Sequence, residues 1–316
     1  MAGKVVVIAG PTASGKTALA IELARALGGE IVTADSMQVY RGFDTGTAKA
    51  DANERAAAIH HMLNVAAPDE SYSAARYVKE AAAVCDDILA RGKLPIIAGG
   101  TGLYIDSLLS GRDFAERGEG ESAELRAELS AEYDERGGEA MIAELREFDP
   151  ERAAILHPSD KRRIVRAIEI YKLTGRTISE HDAYTKTLPP RYDAARIVLN
   201  YSERSALYAR IDARVDEMCN RGLFDEVAGL LRAGVPEECT AMQAIGYKEA
   251  VRALRGDITR AQAVEQIKLA SRRYAKRQLT WFRRWEDALW IEHDGAPDLI
   301  SARQLSTDFI HSRGIS

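Results

Sequence analysis

The sequence predicts an α/β protein, a parallel sheet flanked by helices and interrupted by a helical insertion. Three observations predict it. Short, continuously apolar, β-branched runs recur at residues 4–9, 30–34 and 94–98, with helical spacing between them. The first run passes through a glycine-rich loop straight into a helix pattern. From Asp113 to Pro190 the pattern changes to one charged helix after another.

Taken in order, residues 4–9 form a compact run bounded by Gly10 and Pro11, and residues 17–27 carry apolar side chains at helical intervals. Residues 30–34 repeat the strand pattern. A helix over 74–91 closes at Gly92, and 94–98 is the next strand. The insertion, 113–190, is punctuated by Gly118, Gly120, Gly137, Gly138 and Gly175 and stopped by Pro189 and Pro190. Residues 196–200 read as a strand returning to the sheet, 204–284 as helices of mixed charge, and 289–291 as a last short strand. The expected organisation is a core of residues 1–112 and 191–316 around an insertion of 113–190.

The composition, 46% apolar and 29% charged over 316 residues, suits a globular chain with a sizeable core. A net charge of −5 argues against a protein that coats nucleic acid over its whole surface, though it leaves room for a local basic face. Cys85, Cys219 and Cys239 are too few and too far apart for a disulfide framework or a zinc-ligand pair. The apolar run near the start is too short for a signal segment or a membrane span, and no other run approaches eighteen residues. A cytoplasmic protein without a membrane anchor is expected, and no obligate protein partner is evident.

Residues 10–17, Gly10, Pro11, Thr12, Ala13, Ser14, Gly15, Lys16 and Thr17, match the phosphate-loop pattern G-x-x-x-x-G-K-[ST] between a strand and a helix. This makes the fold P-loop NTPase-like. Glycines let successive backbone N–H groups turn toward a phosphate, and the helix start adds its dipole. Lys16 reaches outer phosphate oxygens, and the Thr17 hydroxyl can join the coordination sphere of Mg²⁺. The motif specifies a diphosphate or triphosphate but not the reaction.

NTP-hydrolysing relatives of this architecture carry an acid at the end of a neighbouring strand and a group that orients water. Here the run at 94–98 leads into Gly99, Gly100, Thr101 and Gly102 with no carboxylate. The one acid at a strand end is Asp35. It could hold magnesium, act as a base toward an acceptor, or simply cap a turn. A P-loop also suits chemistry in which diphosphate is the leaving group, because its cations stabilise the departing charge.

Seven basic residues and no acid lie between Lys268 and Arg284. On a helix Arg272, Lys276 and Arg283 form one stripe, with Arg273, Arg277 and Arg284 beside it. Such a band suits successive phosphates of a nucleic acid. Gln278, Tyr274, Trp281 and Phe282 sit within it; they are candidates to meet an unstacked base, and the two last are equally core anchors. Lys161, Arg162, Arg163 and Arg166 form a second cluster, read either as a phosphate contact or as a solvated face. Arg210 and Arg214 are a further pair: Arg214 is the candidate to complete a diphosphate clamp, against salt bridging to Asp212 or Asp216. His60 and His61 are adjacent, point apart and make a poor metal pair.

Five blocks together resemble the tRNA dimethylallyltransferase family, also called tRNA isopentenyltransferases. They are residues 10–17; Asp35 to Tyr40 with Gly46 to Lys49; Gly99 to Tyr104; His157 to Arg163 with Arg166 to Glu169; and Ala275 to Arg283. The resemblance implies a P-loop core, a helical insertion embracing the tRNA anticodon arm, and a channel where tRNA and dimethylallyl diphosphate meet. It implies that Asp35 is the base for an adenine amino group and that Thr101 steadies the reacting centre. The diphosphate and its Mg²⁺ would fall to Gly10, Thr12, Ala13, Ser14, Gly15, Lys16 and Thr17, with Arg214 as candidate clamp. Contacts to tRNA would come from Asp35, Ser36, Met37, Gln38 and Thr101; from Ser159, Asp160, Lys161, Arg162 and Arg163; from Gln243 and Gly246; and from Arg272, Lys276, Arg277, Gln278, Trp281 and Arg283. Asn64 and Ala50 depart from the family pattern, where Asp and Pro are common. No zinc-finger extension follows the last block, so a bacterial-type member is expected.

Two other enzymes fit parts of the pattern: an adenylate isopentenyltransferase acting on AMP, ADP or ATP, and a small-molecule kinase using Asp35 to activate a hydroxyl. A nucleotide-gated RNA-binding protein without catalysis is the non-enzymatic alternative. The long insertion and the acid-free basic band favour a macromolecular acceptor.

Overall fold

The computed structural model describes residues 2–111 and 119–315. The expected start of the insertion at Asp113 and the break at Gly118 lie outside these residues. The chain divides into two compact units, residues 1–109 with 190–316, and residues 110–189.

In the first unit the order is β1 (Gly3–Ala9), α1 (Lys16–Leu27), β2 (Glu30–Ala34), α2 (Ala52–Ala57), β3 (His60–His61), α3 (Ala74–Ala90), β4 (Pro95–Gly99) and α4 (Gly102–Ser110). Beyond the second unit, whose helices are α5 (Glu119–Arg136), α6 (Gly138–Phe148), α7 (Pro150–Ile155), α8 (Lys161–Thr174) and α9 (Ile178–Thr187), the chain returns as β5 (Tyr192–Tyr201). It continues through α10 (Arg204–Asn220), α11 (Leu223–Arg232), α12 (Tyr247–Arg255), α13 (Arg260–Phe282), β6 (Leu289–His293) and α14 (Leu299–Ser312).

The strands form one sheet in the order β3-β2-β4-β1-β5-β6, and every pairing is parallel. Crossover connections place helices on both faces, which is why the central strands read as unbroken apolar runs. Val5 to Ala9 and all of β2 and β4 are buried. On one face Val6, Ile8, Ile31, Ile96, Ile197 and Leu199 pack with α1 and with Ala302 and Ile310 of α14. Helix α3 packs against β2 and β4.

Register fixes where the site forms. Ala9 pairs with Gly99, and Gly99 with Ala34, so β1, β4 and β2 end on the same rung. The residues that follow them, Gly10, Gly100 and Asp35, therefore emerge together at the carboxyl edge, where ligands bind in open parallel sheets. Gly99 is needed on that rung: a Cβ there would lie 2.1 Å from the Ala34 carbonyl oxygen. Backbone in a central strand cannot retreat, so Gly99→Ala is expected to cost about 3 kcal/mol or more, measured as a shift in the chemical-denaturation midpoint.

At the opposite edge, Glu30 is almost completely buried and accepts from both terminal nitrogens of Arg91 (2.6 and 2.8 Å), from Lys93 (2.7 Å) and from His61 Nε2 (2.7 Å). His60 bonds the Ala58 carbonyl through Nδ1 at 2.9 Å. The two histidines thus have separate structural partners.

The second unit has its own core, built on Leu129, Met141, Ile142, Leu145, Ile164 and Ile168. Buried Glu169 is held by Arg126 and Arg166, each at 2.8 Å.

Candidate active site

The phosphate loop has the backbone its sequence demands. Gly10, Ala13 and Gly15 have positive φ, 147°, 65° and 88°. A Cβ on Gly10 would sit 2.4 Å from the Leu199 carbonyl oxygen. Glycine is therefore required at that turn. Ser14 is buried and donates its hydroxyl to Pro11 O at 2.9 Å, so it can offer a ligand only its backbone N–H. Lys16 Nζ rests on Pro11 O at 2.6 Å. Thr17, in the first turn of α1, is partly exposed, and its hydroxyl has no hydrogen-bond partner among the described residues.

On the neighbouring strand ends, Thr101 N–H donates to Ala34 O at 3.1 Å, and Ser36 N–H donates to Thr101 Oγ1 at 3.0 Å. These bonds tie the β4 turn to the β2 turn. Asp35 Oδ1 accepts from Met37 N–H at 2.9 Å and Gln38 N–H at 3.3 Å. One carboxylate oxygen is thereby held in a turn, and Asp35 remains partly exposed.

Gln38 donates its side-chain amide to Thr47 O (3.1 Å) and Ala48 O (3.4 Å). The loop that receives it is itself fixed. Buried Lys49 bonds Tyr40 O, Asp44 Oδ1 and Asn64 Oδ1 at 2.6–2.7 Å. Asn64 has φ 58°, a conformation asparagine tolerates, so this departure from the family pattern is accommodated in its own loop. Glu226 of α11 accepts from the backbone of Asp44, Thr45 and Gly46 and from the Tyr247 hydroxyl. The Tyr247 ring lies where a Cβ on Gly46 would be. No sequence signal points to Glu226, because its backbone partners lie some 180 residues earlier.

Helix α13 covers the site. Gln278 is buried, accepts from Thr12 N–H at 2.9 Å and donates to Gly100 O at 3.0 Å. Both its polar groups are thus used within the protein, and it bridges the phosphate loop to the β4 turn. That corrects its expected place on an open face. Trp281 is also tied inward, donating to Asp106 Oδ2 at 2.7 Å, with Arg284 4.0 Å over its ring. Trp285 takes the other oxygen of Asp106 at 2.8 Å, and Phe282 is fully buried.

The electrostatics join the two sides. Burial, and then the Arg214 guanidinium, push the Lys16 ammonium down to about 7, against the opposing pull of Asp35. Arg214 is lowered by burial and supported first by Asp35. Tyr274 is raised to about 12 by burial and by the charge of Asp35. Lys16, Arg214 and Tyr274, all half-buried, therefore lie within electrostatic reach of Asp35. The competing salt bridges for Arg214 do not form, since Asp212 is taken by Arg272 at 3.3 Å and Asp216 by Lys268 at 2.8 Å.

The lysine shift has a testable sign. Between about 7 and the ordinary lysine value the unfolded chain is protonated at this position and the folded chain is not, so ligand-free stability rises with pH there. A bound diphosphate restores the charge. Binding of inorganic diphosphate at pH 8 is expected to take up about one proton, read from titration calorimetry in buffers of different ionisation enthalpy.

The basic band is narrower than its sequence. Helix α13 ends at Phe282 with Arg283 as its cap, so the expected stripes stop there. Lys268, Arg272 and Arg284 face carboxylates, Arg284 reaching Asp106 at 3.9 Å. Arg273, Lys276, Arg277 and Arg283 are exposed and have no ion pair among the described residues. Gln243 is exposed, donating to Glu237 O at 2.9 Å, and Gly246, with φ 100°, precedes α12. In the second unit Lys161, Arg162 and Arg163 occupy the first turn of α8, after Ser159 and Asp160. Lys161 pairs with Asp134 at 2.6 Å and Arg163 with Asp160 at 3.9 Å, while Arg162 is exposed without an ion pair among the described residues.

A phosphate loop and a strand-end acid on aligned ends of a parallel sheet define a P-loop α/β protein. The chain belongs to the IPP transferase family, whose family model matches residues 38–285. A model described as isopentenyl transferase matches residues 3–64. A tRNA dimethylallyltransferase of Thermoanaerobacter sp. (strain X514) is 45% identical over 293 residues, 92% of each chain. One from Caldanaerobacter subterraneus subsp. tengcongensis is 46% identical, again over 92% of each. The crystal structure of tRNA delta(2)-isopentenylpyrophosphate transferase from Staphylococcus epidermidis is 40% identical, with a TM-score of 0.71 over 98% of this chain and 99% of that one. A eukaryotic dimethylallyltransferase acting on tRNA is 30% identical, with a TM-score of 0.82 over 99% of this chain and 81% of that one.

Proposed function

We propose that this chain transfers the dimethylallyl group of dimethylallyl diphosphate to the exocyclic amino group of the adenine beside the anticodon of tRNA, giving isopentenyladenosine. One observation carries the reading: the phosphate loop with Lys16 and the strand-end acid Asp35 emerge from one rung of the sheet, and Arg214 interacts electrostatically with both. A kinase could use the same two groups; similarity to tRNA dimethylallyltransferases over 92% of the chain favours prenyl transfer to an amine.

In the step, the bond between the allylic carbon and the diphosphate oxygen breaks and a carbon–nitrogen bond forms. The negative charge on the leaving oxygen is taken by Lys16, Arg214 and the N–H groups of residues 10–17. Asp35 accepts the proton lost by the amino nitrogen. Thr101 is joined to the Asp35 turn through Ser36 and to β2 through its own N–H, so it holds the acceptor side in register with the donor side. Mg²⁺, when bound with the diphosphate, would add charge neutralisation. The Thr17 hydroxyl fits it, since a Mg²⁺ held mainly by phosphate oxygens and water needs few protein ligands.

Stacked adenine hides its amino group, so the base must leave its stack to reach Asp35. Phosphate contacts that hold the RNA are assigned to Lys276, Arg277 and Arg283 and, in the second unit, to Arg162 and its neighbours. The reaction belongs to the cytoplasm, where tRNA is modified.

Incubation with unmodified tRNA, Mg²⁺ and dimethylallyl diphosphate, followed by nuclease digestion and mass spectrometry, is expected to yield prenylated adenosine. ADP formation from ATP without any such nucleoside would replace the reading with a kinase. Lys276→Glu is expected to weaken tRNA binding about tenfold and to lower the slope of log affinity against log salt by about one, measured by filter binding.

A further inference from the structure

We propose that a pocket between the start of α10 and the end of α13 is a phosphodiester subsite outside the phosphate loop, taking one backbone phosphate of the RNA and its ribose. It rests on the tRNA reading above. The pocket encloses about 250 Å³. Its floor includes Tyr201, Leu207 and Leu279, and three cations, Arg204, Lys276 and Arg283, line it.

None of the three has an ion pair among the described residues, unlike Lys268 and Arg272 on the same helix. Glu292 also lines the pocket, accepting from Asn200 Nδ2 at 3.4 Å, and Asp294 accepts from Ser202 Oγ at 2.7 Å. The lining therefore holds three cations against one carboxylate. Arg204 gives Nε–H to the Tyr208 hydroxyl at 2.7 Å and keeps its other guanidinium donors. It also stands in the first turn of α10, a 17-residue helix that begins without a side-chain cap. Its N-cap, Glu203, makes no side-chain cap bond, so orphan N–H groups remain beside the pocket.

The pocket is too polar for an isoprenoid chain. It adjoins the phosphate loop, its floor residue Tyr201 donating its hydroxyl to the carbonyl of Ala13, but none of residues 10–17 lines it. Asn200, Ser202 and Thr280 donate within the protein, which leaves their side-chain oxygens to accept from ribose hydroxyls. Lys276 and Arg283, already assigned to RNA phosphates, make the pocket continuous with the basic band.

The test is filter binding of unmodified tRNA across a salt series, with inorganic diphosphate binding and prenyl transfer measured on the same preparations. Arg204→Glu is expected to lower tRNA affinity about tenfold and to reduce the salt slope by about one, leaving diphosphate affinity unchanged. Arg204→Gln, which keeps size and polarity, is expected to show a smaller loss of the same kind. Wild-type tRNA affinity and slope in both variants would overturn the proposal. If AMP bound the wild type but not Arg204→Glu while tRNA affinity stayed unchanged, the pocket would serve a free mononucleotide, and the RNA assignment would fall. Absence of tRNA binding by the wild-type protein would instead remove the underlying reading, and this proposal with it.

Discussion

Asp35→Ala is expected to lower single-turnover prenyl transfer by about 10³-fold or more, while tRNA affinity changes only a few fold. The carboxylate stands at the end of β2, on the rung shared with the phosphate loop, and the other strand-end acid among the described residues, Asp294, follows the edge strand β6. Its Oδ1 also caps the turn through Met37 and Gln38. Asp35→Asn keeps that acceptor and removes only the basicity. Both variants should therefore lose turnover alike, with Asn preserving tRNA affinity better. A large affinity loss in Asp35→Asn would show that the acid binds RNA rather than taking a proton.

Lys16→Ala is expected to cost about 10²–10⁴-fold in kcat/KM for the diphosphate donor, with Arg214→Ala close behind. Both cations are half-buried at some cost, and each is pushed toward its neutral form by its surroundings. That cost is offset only when a diphosphate arrives, and its negative charge grows as the carbon–oxygen bond breaks. The loss should therefore appear in the chemical step as well as in donor affinity. Steady-state kinetics with saturating tRNA would separate the two, and unchanged kcat in both variants would contradict a leaving-group role. Asp212 and Asp216 are already paired, so Arg214→Ala should leave stability nearly unchanged.

Much of this was legible in the sequence because local rules govern it. The β1 run, the loop at 10–17 and helix α1 follow from β-branched residues, two glycines and helical spacing, and the structure places them within a residue of expectation. The returning strand was foreseen at 196–200 but runs Tyr192–Tyr201, because its first residues pair with Gly3 and Lys4 of β1. Strand β3 is two residues long, and nothing in a pair of histidines distinguishes it from loop. Helix α14 has only a weak apolar stripe and is held by packing on α1.

Within the site, the legible part was what motifs carry: Lys16, Thr17, Asp35 and Thr101. The hidden part is long-range. Gln278 and Trp281 sit in a basic, aromatic stretch that reads as an open nucleic-acid face, yet their partners are Thr12, Gly100 and Asp106. Close approach explains why: Gly102 leaves room for Trp281, where a Cβ would fall 2.2 Å from the indole. Pairing of Lys268 with Asp216 and Arg272 with Asp212 depends on two helices meeting, which no local charge count reveals.

A diphosphate grip and a base, carried on one rung of the sheet, are proposed to serve the two halves of a single transfer. The most direct measurement is a crystal structure of the protein with an unmodified tRNA anticodon arm and a thiolo analogue of dimethylallyl diphosphate. The adenine amino nitrogen is expected within hydrogen-bond distance of the Asp35 carboxylate, with the diphosphate on Lys16 and Arg214. An adenine bound with its amino group turned away from Asp35, or a diphosphate seated elsewhere, would contradict the account.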